Sequence, residues 1–211
     1  MPAQVIVTVD VVFLTLRDKS LHVALMKRPQ EPFKGVLALP GGYVHPEEDP
    51  DVAAAAYRVL LDKMQLRPPY LEQLGTFSGA RRDPRGWSIS VCHLALVAPD
   101  AVSDTLWFPV DKLPRLAFDH ARLIAAAVTR VRNKSSYSAL PGYLLPEAFT
   151  LSELQAIYSQ ILGEPLEKSS FRRKLRDLNF LEEMPGAFRG GKQRPAQLYR
   201  LKGMAVFDRS I

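Results

Sequence analysis

Three stretches of the chain hold the residue types that could do chemistry. The first runs from Gly41-Gly42 through Glu47, Glu48 and Asp49 to Arg58, Val59, Asp62 and Lys63. Carboxylates gathered there could hold Mg²⁺, which neutralises a diphosphate and activates water. The second is Arg82-Asp83-Pro84-Arg85-Gly86-Trp87. Its guanidinium forks suit phosphate oxygens, and Trp87 could stack on a base or pack in a core. With Arg28 these residues form either a cationic rim for a nucleoside diphosphate or a solvated hairpin turn. Phe118-Asp119-His120 opens a helix, so Asp119 reads as an N-cap and His120 as a structural hydrogen-bonder or a ligand contact. The third stretch is basic. From Lys168 to Lys202 it carries ten basic residues against three acidic ones, a balance of +7 within a whole-chain charge of +6. A basic surface confined to one segment is the footprint of nucleic-acid contact.

The first stretch resembles a Nudix box, the loop-helix-loop that holds metals against a diphosphate in Nudix hydrolases. That pattern places a Gly, then a Glu, then Arg-Glu-apolar-any-Glu-Glu-any-Gly-apolar. Aligned from its C-terminal end, this chain supplies Arg58, Leu60 and Leu66. Val59 and Lys63 stand where two of the metal-binding glutamates belong, and Asp62 where the third does. A lysine at a ligand position repels Mg²⁺. The stretch from Gly42 to Leu66 is also longer than the family pattern, so Glu47, Glu48 and Asp49 are expected to cap or solvate the loop. No catalytic residue, no metal ligand and no required cofactor are expected.

At 211 residues the chain can hold one large domain or two small ones. With 47% hydrophobic and 24% charged residues, it has the composition of a soluble globular protein. No run approaches the ~18 apolar residues that suggest a bilayer span. The stretch Met1–Val5 lacks the features of a signal peptide, so a cytoplasmic location is expected. Cys92, the single cysteine, sits in an apparent strand and reads as a small buried hydrophobe.

The elements that would position these residues follow from patterning. Gln4–Leu16 is a nearly continuous β-branched strand, Leu21–Lys27 its hairpin return, and Val36–Leu39 a short strand before the Gly-Gly turn. Asp51 caps a helix over Val52–Met64, stopped by Arg67-Pro68-Pro69. Leu71–Phe77, Trp87–Ala98 and Leu106–Pro109 read as strands, and Asp119–Arg132 as a helix. The expectation is α/β: a Nudix α/β/α sandwich with a mixed sheet over residues 1–138. A junction at Tyr137–Pro146 then leads to a second unit, 139–211. There Thr150 and Glu153 make a capping box for one helix, and a basic helix over Lys168–Leu178 follows a tight turn. A hairpin tipped by Arg189-Gly190-Gly191-Lys192 completes the order of a winged helix-turn-helix. Such a helix enters the major groove, and Lys168, Ser169, Ser170, Arg172, Arg173 and Arg176 would face DNA, with Arg189, Lys192 and Arg194 on the wing.

Nearly the whole chain resembles the Nudix-related transcriptional regulators of NAD metabolism (NrtR). The resemblance is carried by Leu39-Pro40-Gly41-Gly42-Tyr43-Val44, Arg82–Ser88, Leu116–His120, Phe149–Gln155, Ser170–Leu175 and Arg194–Tyr199. It implies a homodimeric bacterial repressor of NAD synthesis or salvage genes, released from a palindromic operator in double-stranded DNA by ADP-ribose or a related effector. It favours Arg82, Asp83, Trp87 and His120 near the effector pocket, beside Arg28, Arg85 and Phe118, and the second helix with Lys192 and Arg194 on DNA. Two alternatives stay open: an active diphosphatase, and a regulator of the same architecture that senses another ligand such as a sugar.

Overall fold

The computed structural model describes residues 5–102, 105–190, 195–208 and 210–211. Its first strand, β1 (Ile6–Arg17), runs through the middle of a seven-stranded sheet. β2 (Ser20–Lys27), β3 (Leu37–Ala38) and β4 (Gly41–Tyr43) follow it. Beyond α1 (Val52–Met64) come β5 (Tyr70–Gly79), β6 (Ser88–Leu96), β7 (Leu106–Pro109) and α2 (His120–Ser135). β1 lies parallel to β6, whereas its pairings with β2 and β4 are antiparallel. The sheet is therefore mixed, as the patterning predicts.

Continuous hydrophobicity in β1 has a simple cause: both of its faces are covered. Side chains alternate across a strand. Val11 and Phe13 pack under α1 with Ala56 and Leu60, and Val9 packs there with Val59. Val12 and Leu14 meet Leu123, Ile124, Ala127 and Val131 of α2 on the opposite face. Cys92 belongs to this second core, and burial pushes its thiol pKa well up. Its place is that of a packing residue.

Helix α1 begins where the sequence places it, with the Asp51 carboxylate accepting the Ala54 amide at 2.8 Å. It ends on Gln65 in the left-handed region, φ +52°. Helix α2 differs from expectation. Asp119 makes no side-chain cap bond, and the helix runs on to Ser135. The carboxylate is drawn away by Arg82, and that charge-assisted pair outweighs a neutral amide cap.

The segment after α2 is packed tightly. Leu140–Leu144 is a 3-10 helix whose Leu140 and Leu144 sit in the same core as α2. The winged unit follows as β8 (Phe149–Thr150), α3 (Leu151–Leu162), α4 (Lys168–Leu178), β9 (Leu181–Arg189) and β10 (Ala196–Leu201). Its three-stranded sheet has the order β8-β10-β9. The Thr150/Glu153 capping box is fully formed. Leu154, Tyr158, Phe171, Leu175 and Phe180 form a core of their own, while Ile157 and Ile161 on α3 join the core of the sandwich. No helix among the described residues is long and apolar enough to cross a membrane.

Candidate functional site

A cleft of about 340 Å³ opens on the sandwich where β1, β4, the Arg82–Arg85 loop and the start of α2 converge. Arg28, Arg82, Asp83, Arg85, Phe118 and His120 all line it. Trp87 does not: it is 44% exposed outside the lining, and its carbonyl accepts the Ile6 amide. The aromatic surface of the cleft comes instead from Tyr43 and Phe118. Phe118 has φ +53°, a left-handed conformation that costs an L-residue about 1–2 kcal/mol. The ring is held by Phe33 edge-on at 5.0 Å and by the Arg28 guanidinium 4.6 Å from its centre.

Asp10 is the buried hinge of the arrangement, and sequence patterning passes over it because it sits inside an apolar strand. Its carboxylate accepts Ser90 Oγ at 2.6 Å and lies 3.7 Å from Arg82 and 3.5 Å from His120 Nε2. Gly41 is compulsory beside it, since a Cβ there would fall 2.2 Å from Asp10 Oδ1. His120 is oriented from its other side: its Nδ1 accepts the Leu39 amide at 2.9 Å. That bond assigns the neutral-ring proton to Nε2, facing Asp10. Burial further depresses the His120 pKa.

The cations of the cleft fall into two groups. Arg85 is spent on Asp83 through contacts of 3.0 and 2.6 Å, and it also donates to Tyr43 Oη. Burial alone would raise the Asp83 pKa, but the Arg85 hydrogen bonds bring it below the usual value. Arg82 is likewise spent, bidentate on Asp119. Arg28 donates Nε to the Pro32 carbonyl, and Lys63 donates to the Gly41 carbonyl. Among the described residues neither has a carboxylate within ion-pair distance. Desolvation lowers the pKa of both.

Whether Mg²⁺ fits the Nudix-type turn is decided by the donors. Val59 is 1% exposed, packed against Val9 and Ala55. Asp62 points outward, 3.9 Å from Arg58. Both oxygens of Asp49 are held by Arg58, at 2.8 and 2.7 Å, and this carboxyl falls to about 2 chiefly through that pairing. Glu48 is exposed beside His45 and Arg58. No group of three or more His, Cys, Asp or Glu among the described residues converges as a metal site. A hard cation wanting about six oxygens does not fit this donor set.

On the winged unit α4 presents Lys168, Ser169, Arg172, Arg173 and Arg176 as exposed residues, with Ser170 half-buried, above an inward face of Phe171 and Leu175. Glu167 caps the helix by accepting the amides of Ser169 and Ser170 and the Ser169 hydroxyl. Those backbone bonds, with the Ser169 hydroxyl, hold its carboxyl at about 2. The Ser169 hydroxyl is thereby committed within the protein. Arg189 is committed too, donating to Glu153 and to the Ala148 carbonyl, and Arg200 pairs with Glu182. Lys168, Arg172, Arg173 and Arg176 make no ion pair or side-chain hydrogen bond among the described residues. Lys192 and Arg194 lie outside the described residues.

Fold and sites together define a Nudix-type sandwich joined to a basic winged helix. Family models agree: residues 6–127 match the NUDIX domain, and residues 141–201 match the NrtR DNA-binding winged helix domain. The chain is 41% identical over 204 residues to the ADPR responsive transcriptional repressor NtrR of Acinetobacter baylyi, covering 92% of this chain and 81% of that one. The structure of Shewanella oneidensis NrtR complexed with a 27mer DNA superposes with a TM-score of 0.89 at 39% identity, over 97% of this chain and 99% of that one. The NUDIX domain of the same Shewanella protein, complexed with ADP ribose, aligns at 40% identity and TM-score 0.56, over 61% and 89% of the two chains. The ADP-ribose pyrophosphatase of Methanocaldococcus jannaschii is 37% identical over 113 residues, 51% of this chain and 66% of that one. The chain belongs to the NrtR family of Nudix-related transcriptional regulators.

Proposed function

We propose that this protein is an ADP-ribose-responsive DNA-binding repressor of NAD synthesis or salvage genes. Residues 1–138 would sense the effector and residues 139–211 would bind DNA. The observation that carries the reading is the separation of two cationic surfaces, one inside an aromatic-walled cleft and one on an exposed helix. The first suits a nucleotide diphosphate. The second suits the major groove, where Arg reads guanine and Lys or Arg neutralises phosphate. In a homodimer two copies of α4 would meet the half-sites of a palindrome. The cleft binds its effector without cleaving it, because the donor set that would hold Mg²⁺ is replaced by Val59 and Lys63.

ADP-ribose that binds better to the DNA-incompetent arrangement shifts the population off DNA, by no more than its differential affinity. Gel-shift titration on the promoter nearest the protein's own gene tests this. Saturating ADP-ribose is expected to weaken operator binding at least about fivefold, the low end of typical allosteric coupling. Unchanged affinity would sink the model. Incubating the protein with ADP-ribose and Mg²⁺ tests the diphosphatase alternative: the expected result is no AMP.

A further inference from the structure

We infer that the Lys63 ammonium takes the place of the divalent cation in this cleft, so that a diphosphate ligand is bound by protein charge alone, independently of Mg²⁺. The inference rests on the effector reading above and deepens it.

Lys63 lies in the last turn of α1, where the negative end of the helix dipole favours a cation. The residue as a whole is exposed, yet it lines the cleft and its ammonium reaches the Gly41 carbonyl. It therefore stands on the helix turn from which a Nudix-type site would present a carboxylate toward the same ligand. The neighbouring positions support the exchange. Val59 is sealed in the core, Asp62 faces outward, and Asp49 is locked to Arg58. Nothing there gathers a metal, and Lys63 would repel one.

Charge balance on the cleft wall points the same way. Arg82 and Arg85 are neutralised by Asp119 and Asp83. Lys63 donates to the Gly41 carbonyl, and Arg28 donates to the Pro32 carbonyl and lies over the Phe118 ring. Among the described residues neither forms an ion pair, although both feel the field of Asp10 and Lys63 also feels that of Arg28, so the two share one region of field. Two cations with no ion-pair partner among the described residues match a dianionic diphosphate bridging two sugars. Phosphate oxygens replacing the Gly41 carbonyl would give the ammonium a charged partner for a neutral one, a stronger hydrogen bond.

Titration calorimetry with ADP-ribose, in EDTA and in excess MgCl₂, tests this on the full chain. Wild type is expected to bind with the same affinity in both buffers, within about twofold. Lys63→Met is expected to lose about tenfold to a hundredfold in both, the worth of a hydrogen bond to a charged group. Lys112→Met, a change at an exposed lysine outside the cleft lining, should bind like wild type. Chelation that weakens wild type, or Lys63→Met that binds as tightly as wild type, overturns the inference. If ADP-ribose binds wild type in neither buffer, the effector reading falls. Inorganic pyrophosphate in the same two buffers then decides the Lys63 question by the same criteria.

Discussion

His120 sits with its two ring nitrogens in different roles, one accepting the Leu39 amide and the other facing Asp10. Burial disfavours the charged ring, so the pKa lies below the ordinary 6.5; protonating Nδ1 would also break the first contact. His93 is displaced the same way, by burial first. The sign follows from linkage. Below pH 6.5 the unfolded chain takes up protons at these rings that the folded chain refuses, so stability is lost as pH falls. The loss approaches about 1.4 kcal/mol per pH unit for each ring until its folded pKa is reached. Urea midpoints measured between pH 7.5 and 5.5 should fall, and His120→Gln should shallow the slope. An unchanged slope in that variant would show that His120 titrates normally. Asp49 acts at a lower window: with its carboxyl at about 2 against an ordinary 3.8, its pairing with Arg58 persists above pH 4 and fails as pH drops through 2.

At the scale of an element, α4 sorts the basic segment into working and occupied charges. The sequence presents ten cations between Lys168 and Lys202 without distinction. The fold occupies Arg189 and Arg200 with Glu153 and Glu182, and among the described residues leaves Lys168, Arg172, Arg173 and Arg176 without an ion pair along one helix face. Each phosphate neutralised by such a cation contributes about 0.9 to the slope of log affinity against log salt. Replacing Arg172 and Arg173 together by Ala should therefore lower that slope by about two if both meet phosphates. Arg200→Ala should leave it nearly unchanged. A titration of operator binding across salt concentrations measures both. A loss in Arg200→Ala with none in the double variant would place the DNA on the wing strand instead of the helix.

The whole molecule is held together across the segment where composition changes. Leu140, Leu144, Ile157 and Ile161 share one core with α2 and the sheet, and Gly142 lies so close to Leu201 that a Cβ would stand 2.8 Å from its methyl carbon. Tyr158 Oη donates to the Ser138 carbonyl at 2.7 Å, and the chain end returns to Tyr137 and Ser136. Continuous packing of this kind can transmit a rearrangement between sensor and DNA-binding unit. It also predicts joint unfolding. Urea denaturation followed by the fluorescence of Trp87 and Trp107, both in the sandwich half, should coincide with loss of helical circular dichroism. Tyr158→Phe should cost about 1–2 kcal/mol, the penalty of a buried carbonyl left without its donor, while keeping one transition. Two separated transitions would mean that the units unfold independently.

What the sequence by itself determined is local. The capping box at Thr150 and Glu153, the Asp51 cap, the bounds of α4 and the buried strand β1 are all written in spacing a few residues long. Helix caps and apolar periods act within one or two turns, so they survive translation into a linear reading. The pattern of the box likewise told that the carboxylates were missing. Tertiary structure decided which charges are free. Arg82 meets Asp119 across 37 residues, Arg189 meets Glu153 across 36, and Lys63 reaches Gly41 across 22. Asp10 enters the cleft because β1 is central and parallel to β6, which brings Ser90 beside it. Trp87, by contrast, is carried out of the cleft lining. Pairing energy depends on distance in space and on desolvation, and neither quantity exists until the sheet and helices have assembled.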